Sequence, residues 1–312
     1  MKLLSIVFSF RNEEKNIPEL VERTTKTLSD FRNWKYELIF VNDYSTDNSE
    51  KTLLELQKKF PIKIINMSRN FGVAPCVIAG FKNCSGDAII YMDSDLQDPP
   101  ELISKLIFEH EKGADIVHTI RTKRLGESKI KMMITNVAYK IINYFSDIPL
   151  PLNAGDFKLI SRKALDKILE LKEFRPYIRG LSVWVGFCQA EVYYVREPRR
   201  SGNSKFSLLS HGPVNEFITG LTSYSLTPLY FGIFLGFFSI IISVGLILHT
   251  IYSKINNLTA FGSAGILISI SFFSGIILFS QGIIGIYIAR IFEQVRGRQR
   301  YIIKEIKDYK VN

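Results

Sequence analysis

Cysteine is scarce in this chain of 312 residues, which carries only Cys76, Cys84 and Cys188. An odd number without metal-type spacing argues against a disulfide framework or a thiolate zinc site, and points to free thiols in a reducing cytosol. Histidine is as sparse. His110, His118, His211 and His249 are scattered, so a histidine zinc site is not expected either. No Gly-x-Gly-x-x-Gly follows the first apolar segment, and no Gly-x-x-x-x-Gly-Lys occurs, which counts against a dinucleotide dehydrogenase and a P-loop NTPase. No signal peptide is expected. Leu3–Phe10 is apolar but short, and Arg11, Glu13 and Glu14 follow at once.

Charge is missing over two long stretches. Phe217–Ser253 and Ile255–Ala289 contain no Asp, Glu, Lys or Arg. A bilayer core needs about 20 apolar residues per helix. Core helices of soluble proteins are usually shorter and amphipathic. The reading is therefore two transmembrane helices, over 226–252 and 262–289. Residues 206–225, with few charges and Pro213, read as interfacial helices leading into the first span. Beyond the second span, 290–312 holds Arg290, Arg296, Arg298, Arg300, Lys304, Lys307 and Lys310, while the loop between the spans holds Lys254. Positive charge marks the cytosolic side. A multi-pass inner-membrane protein with cytosolic N-terminal domain and C-terminal tail is expected. The net charge of +10 could attract nucleic acid. A basic tail beside a span meets anionic lipid headgroups more simply, and no nucleic-acid partner is expected. Gly232, Gly236, Gly275, Gly282 and Gly285 permit close helix contacts, which would allow a homo-oligomer.

Residues 1–205 read as one α/β domain. Strands are predicted at Leu3–Ser9, Tyr36–Asn42, Ile62–Met67, Ala88–Met92 and Asp115–Thr119. Between them lie a helix capped by Asn16, a helix starting at Thr46-Asp47, one around Ala74–Asn83 and one over Pro99–Lys112. Further strands are predicted at Phe157–Ile160 and Glu191–Val195, with a basic loop and a helical stretch across 121–150. Alternation of this kind gives a mostly parallel, doubly wound sheet.

Ligands of such sheets bind at the carboxyl ends of strands. Polar clusters fall there: Ser9–Glu13, Asn42–Asp47, Ser68–Gly72 and Asp93–Asp98. Asp93 and Asp95 stand two apart, so both can face one way. Paired carboxylates repel unless a cation or proton lies between them. Gln97 adds another oxygen, and Mg²⁺ or Mn²⁺ prefers such ligands and often bridges to substrate phosphates. The competing reading is a solvated acidic turn capping the helix at Pro99-Pro100, and for Asp98 that reading is preferred.

These strings carry a resemblance. The chain resembles family 2 glycosyltransferases of the GT-A fold, and within them the polyprenyl-phosphate glycosyltransferases. The matching residues are Asn12–Ile17, Val41–Asp47, Ser68–Gly72, Met92–Pro100, Asn153–Phe157 and Arg200–Ser207, in order and ahead of two spans. The resemblance implies that Asp43 meets the nucleotide base or ribose, with Ser9, Arg11, Glu13 and Arg69 beside it. It implies that Asp95 and Gln97 hold Mg²⁺ or Mn²⁺ on the diphosphate, with Asp93 close by and, with Asp156, catalytic. Arg121, Arg124, Arg200, Ser204 and Lys205 would engage the acceptor phosphate. The family often has Pro near Ser9, Tyr near Arg11, Asp at Asn42 and Gly at Tyr44.

The implied reaction is an inverting single displacement from a UDP-sugar, UDP-glucose by resemblance, to undecaprenyl phosphate. A phosphate monoester is largely dianionic at neutral pH and needs cations more than a strong base. Asp156 would then be a modest base or a group that orients sugar hydroxyls. A processive polysaccharide synthase would need more spans and a Gln-x-x-Arg-Trp motif, a context that Trp34 and Trp184 lack. A non-catalytic membrane scaffold would not need Asp93, Asp95, Gln97 and Lys205 together.

Overall fold

A computed structural model describes residues 1–124, 129–151, 153–198, 211–256 and 263–309. Four strands, β1 (Lys2–Phe10), β2 (Trp34–Asn42), β3 (Ile62–Met67) and β4 (Ala88–Asp93), are joined by helices α1 (Ile17–Leu28), α2 (Ser49–Leu56) and α3 (Val73–Lys82). β1 pairs in parallel with both β2 and β4, and β2 with β3. Parallel strands covered on both faces need unbroken apolar runs. Leu4, Ile6, Val7 and Phe8 are accordingly all buried, and Phe8 stacks on Phe40 at 4.6 Å.

A 3₁₀ turn at Pro100–Leu102 leads into α4 (Ile103–Glu111). Then come β5 (Ile116–Arg124), α5 (Lys129–Phe145), β6 (Ala154–Ser161), α6 (Arg162–Glu170), α7 (Ile178–Trp184) and β7 (Gln189–Arg196). With a C-terminal strand, β8 (Ile303–Lys307), the sheet has the order β7-β5-β6-β4-β1-β2-β3-β8. β6 is antiparallel to both β4 and β5. That reversal carries the start of β6 to the carboxyl edge of β4. Tyr91 lies opposite Lys158, and the same register continued by two residues brings Asp93 level with Asp156.

Three sequence expectations are corrected. Asn16 precedes α1 but caps nothing, because its backbone is already helical (φ −90°, ψ −28°); its Nδ2 donates to Glu13 Oε2 at 2.6 Å instead. α2 begins at Ser49 and not at Thr46-Asp47, since Asp47 Oδ1 accepts from the Ser49 amide (3.1 Å) and hydroxyl (2.6 Å) and so closes the preceding turn. Beyond Arg298 the basic tail is not a free extension. It returns to the sheet as β8, antiparallel to β3 with Ile306 opposite Ile65, and Arg300 donates to the Leu171 carbonyl at 3.1 Å.

The chain divides into two compact units, Met1–Leu221 with Gln299–Asn312, and Thr222–Arg298. Helix α8 (His211–Ser223) covers most of the expected interfacial segment; 206–210 lie outside the described residues. The second unit holds α9 (Thr227–Ile255) and α10 (Ser263–Val295), both long and apolar enough to cross a membrane. They meet through Phe231 and Phe279, edge to face at 6.4 Å, and Gly232 lies against Ser280. Their other flanks expose Phe234, Phe237, Ile240, Leu248, Ile268 and Leu278.

Candidate active site

Backbone strain collects on one edge of the sheet. Among the described residues, four non-glycine residues hold positive φ: Asn12 (57°), Tyr44 (61°), Leu96 (59°) and Asn153 (61°). They lie just after β1, β2 and β4 and just before β6, all at the carboxyl edge. Each such residue costs on the order of 1–3 kcal/mol, and strain of this kind gathers where a site needs it. Hydrogen bonds hold two of these loops together: Asn12 Oδ1 accepts from the Thr46 amide at 2.7 Å, and the Asn12 amide donates to Ser45 Oγ at 3.0 Å.

On the β1–β3 side, Asp43 is buried and its carboxylate is committed to the loop after β3. It accepts from Asn70 Nδ2 (2.7 Å), the Phe71 amide (2.7 Å) and the Gly72 amide (3.0 Å). Gly72 holds φ +92°, a backbone conformation that favours glycine. Arg69 lays its guanidinium over the Phe71 ring at 4.0 Å and is exposed, as is Arg11. Glu13 is buried against Asn16, and Ser9 Oγ shares a hydrogen bond with the Tyr91 hydroxyl at 2.9 Å. The structure thus brings Ser9, Arg11, Glu13, Asp43 and Arg69 to neighbouring strand ends. Asp43 and Glu13 brace their own loops there.

The acidic turn after β4 alternates. Asp93, Asp95 and Gln97 are partly exposed, while Ser94, Leu96 and Asp98 are buried. One face is anchored: Ser94 Oγ donates to the Ser9 carbonyl at 3.0 Å and Leu96 sits in the core. The opposite face presents three oxygen-bearing side chains. The Gln97 amide donates to Asp95 Oδ1 at 3.2 Å, and the Tyr91 hydroxyl donates to Asp93 Oδ1 at 2.8 Å. Burial and the negative charges of Asp95, Asp156 and Asp98 push the Asp93 carboxyl up to about 7.

Asp98 is no solvated helix cap. Its carboxylate is fully buried and takes the Tyr194 hydroxyl on Oδ1 and Arg121 Nη2 on Oδ2 at 3.3 Å, with Arg196 Nε 3.3 Å from Oδ1. Arg121 is therefore buried in the domain, with its guanidinium engaged by Asp98 and the Tyr194 hydroxyl. The Arg124 backbone ends β5, and Arg200, Ser204 and Lys205 lie outside the described residues.

Asp156 opens β6 opposite Asp93. Arg179 of α7 grips it with both arms of its guanidinium, Nε to Oδ1 at 2.8 Å and Nη2 to Oδ2 at 2.6 Å. The remaining nitrogen, Nη1, donates to the Tyr139 hydroxyl of α5. Burial alone would raise the Asp156 carboxyl, but Arg179, with Lys158 and Arg121 behind it, holds it well below the usual carboxylate range. The fully buried Lys158 donates to Ser182 Oγ at 2.9 Å, and burial pushes its ammonium down to about 8. Sequence reading missed Arg179, Tyr139, Tyr91, Tyr194 and Arg196. The one available signal was an arginine set among the apolar residues Ile178, Leu181 and Val183 of a short helix.

The donor set fits a hard divalent cation. Crowded carboxylates raise the Asp93 pKa, and a cation among them would relieve that repulsion. Among the described residues no group of three or more His, Cys, Asp or Glu side chains forms a ready cage. One or two carboxylates completed by phosphate oxygens is how Mg²⁺ is commonly held.

Residues 5–169, more than half of the chain, match the family model described as glycosyl transferase family 2. An uncharacterized glycosyltransferase of Synechocystis is 37% identical over 97% of this chain and 95% of its own length. A prophage bactoprenol glucosyl transferase homolog of Escherichia coli K12 is 34% identical over 97% of this chain and 99% of its own. Among solved structures, Staphylococcus aureus TarS 1–349 in complex with UDP-GlcNAc aligns with a TM-score of 0.49 and 19% identity, over 71% of this chain and 65% of that one. With a family model over more than half its residues and relatives along almost its full length, the chain belongs to glycosyl transferase family 2.

Proposed function

We propose that this glycosyltransferase moves glucose from UDP-glucose to a polyprenyl phosphate at the cytosolic membrane face, with inversion at the anomeric carbon. The carrying observation is the half-anchored turn after β4, whose Asp93, Asp95 and Gln97 face outward at the carboxyl edge beside Asp156. The choice of glucose and of a polyprenyl acceptor draws on the full-length likeness to proteins named bactoprenol glucosyl transferases.

Asp95 and Gln97, with Asp93 beside them, would hold Mg²⁺ or Mn²⁺. When bound, such a cation stabilises the charge that develops on a departing diphosphate. The loops after β1, β2 and β3 bind the nucleotide, with Asp43 fixing the loop that carries Arg69. An oxygen of the lipid phosphate bonds to the anomeric carbon as the bond from that carbon to the UDP oxygen breaks. The phosphate is already dianionic, so no proton need be taken from it. Arg124, Arg200, Ser204 and Lys205 are the proposed acceptor-phosphate ligands; Arg121 acts from behind, through Asp98.

Membrane contact is supported from three sides. α9 and α10 are of spanning length and composition. α5 exposes a helical stripe of Met133, Ile134, Val137, Ile141 and Tyr144, the kind of apolar face that lies on a lipid surface. β8 pairs with β3, so the chain re-enters the catalytic unit after the helix pair, as two crossings would require.

The test is a screen of nucleotide sugars with undecaprenyl phosphate, reading product mass. UDP-glucose should give glucosyl-phosphoryl-undecaprenol, lost in excess chelator and in Asp95→Ala. Full turnover in chelator, or equal use of a water-soluble protein acceptor, would overturn the reading.

A further inference from the structure

We infer that Arg179 is a positioning residue of the transfer reaction, holding the Asp156 carboxylate in one fixed orientation in which it receives hydroxyls of the transferring sugar. The inference rests on the function proposed above and names the work of one site within it.

The geometry of the pair carries it. The Asp156–Arg179 contact is a fork on a fork, at 2.8 and 2.6 Å. A carboxylate so engaged has one set of lone pairs committed and a second still open to other donors. Both side chains keep some exposure, 27% for Asp156 and 22% for Arg179, so the open lone pairs are within reach of a ligand. The guanidinium cannot rotate away. Nη1 is tied to Tyr139 of α5, and the Arg179 carbonyl accepts from Ser182 Oγ at 2.9 Å, which in turn accepts from the buried Lys158 of β6. Three elements thus fix one carboxylate.

The surroundings agree. Asp156 faces Arg179 from α7, Lys158 along β6, Arg121 from β5, and Asp93 and Tyr91 from β4. A purely architectural pair is a poor explanation, because a part-exposed ion pair contributes at most about 1 kcal/mol of stability. This pair also lies at the strained edge, next to Asn153.

The experiment is a double-mutant cycle on the full-length protein in lipid nanodiscs, using whichever nucleotide sugar turns over with undecaprenyl phosphate. Failure of UDP-glucose in wild type overturns the glucosyl assignment and leaves the cycle to be read on the sugar that works. Arg179→Gln should lower kcat by about 100-fold, as a carboxylate displaced by about 1 Å would. UDP affinity, read by titration calorimetry, should stay within about twofold. Arg179→Lys, which keeps charge but loses the fork, should restore only part of kcat. Asp156→Asn with Arg179→Gln should be no slower than Asp156→Asn alone, because the two act as a unit. Tyr139→Phe should cost a smaller factor in kcat with UDP affinity intact, and it serves as the readout if Arg179→Gln does not fold. Wild-type kcat in Arg179→Gln or Tyr139→Phe, full rescue by Arg179→Lys, or multiplicative losses in the double variant would each overturn the inference.

Discussion

Asp98 Oδ2 lies 3.3 Å from Arg121 Nη2, with the two side chains 0% and 6% exposed. Each neutralises the other beneath the turn that presents Asp95 and Gln97. Removing one partner of a buried pair strands the other charge and costs about 3–5 kcal/mol. Arg121→Gln should fall at the lower end, since Arg196 and Tyr194 still face Asp98. Asp98→Asn on top of Arg121→Gln should recover part of the loss, because the sites share one interaction. Chemical denaturation of the detergent-purified variants measures this, and strictly additive losses would refute the coupling.

Gly155 stands against the same guanidinium. A Cβ there would come within 2.8 Å of Arg121 Nη2, which is pinned by Asp98 and by Tyr194 and cannot swing aside. Gly155→Ala should cost about 1–3 kcal/mol, the usual range for overpacking. It should also slow turnover, since Gly155 adjoins Asp156. A variant as stable and active as wild type would show that Arg121 is free to move.

Much of this arrangement was legible beforehand, and the rest was hidden for physical reasons. β1–β4 announce themselves because strands buried on both faces are written as apolar runs. The turn Asp93–Asp98 was readable as an outward-facing acidic site because its residues are contiguous. The direction of β6 was not readable. A strand at Phe157–Ile160 fits either orientation, yet only the antiparallel one brings Asp156 to Asp93. Arg179 finds Asp156 from 23 residues away, a pairing that no local pattern encodes. β8 was lost in its own charges: Lys304, Glu305 and Lys307 surround Ile303 and Ile306, and the segment reads as a tail.

His118 offers a pH-dependent check. It is 2% exposed, with Nε2 against Gln189 Oε1 at 2.9 Å, and burial followed by the Lys158 charge pushes its pKa down to about 3. The unfolded chain takes up this proton near pH 6.5, while the folded protein stays neutral at the site. Stability should therefore fall as pH drops from about 6.5 towards 3, by up to roughly 1.4 kcal/mol per pH unit from this group. His118→Gln removes the proton uptake, so its thermal midpoint should decline less steeply between pH 6.5 and 4 than that of wild type. Parallel slopes would contradict the assignment.

The return of the chain as β8 can be tested by removing it. β8 covers the outer edge of β3, and its contacts extend past the ladder. Lys307 Nζ reaches Glu50 at 2.6 Å, Glu305 accepts from Asn66 Nδ2 at 3.1 Å, and the Lys307 carbonyl accepts from Gln57 Nε2 at 3.0 Å. Ending the chain after Arg298 leaves β3 as an open edge, which invites pairing between molecules. β8 is separated from β4 by β3, β2 and β1, so the acidic turn should be undisturbed. The truncated protein should keep near-normal initial rates on ice but lose activity several-fold faster at 37 °C, with aggregation visible by light scattering. Lys307→Met should do little, because a part-exposed ion pair contributes at most about 1 kcal/mol. Immediate loss of turnover on truncation, with the protein still monodisperse, would instead place β8 in the catalytic machinery.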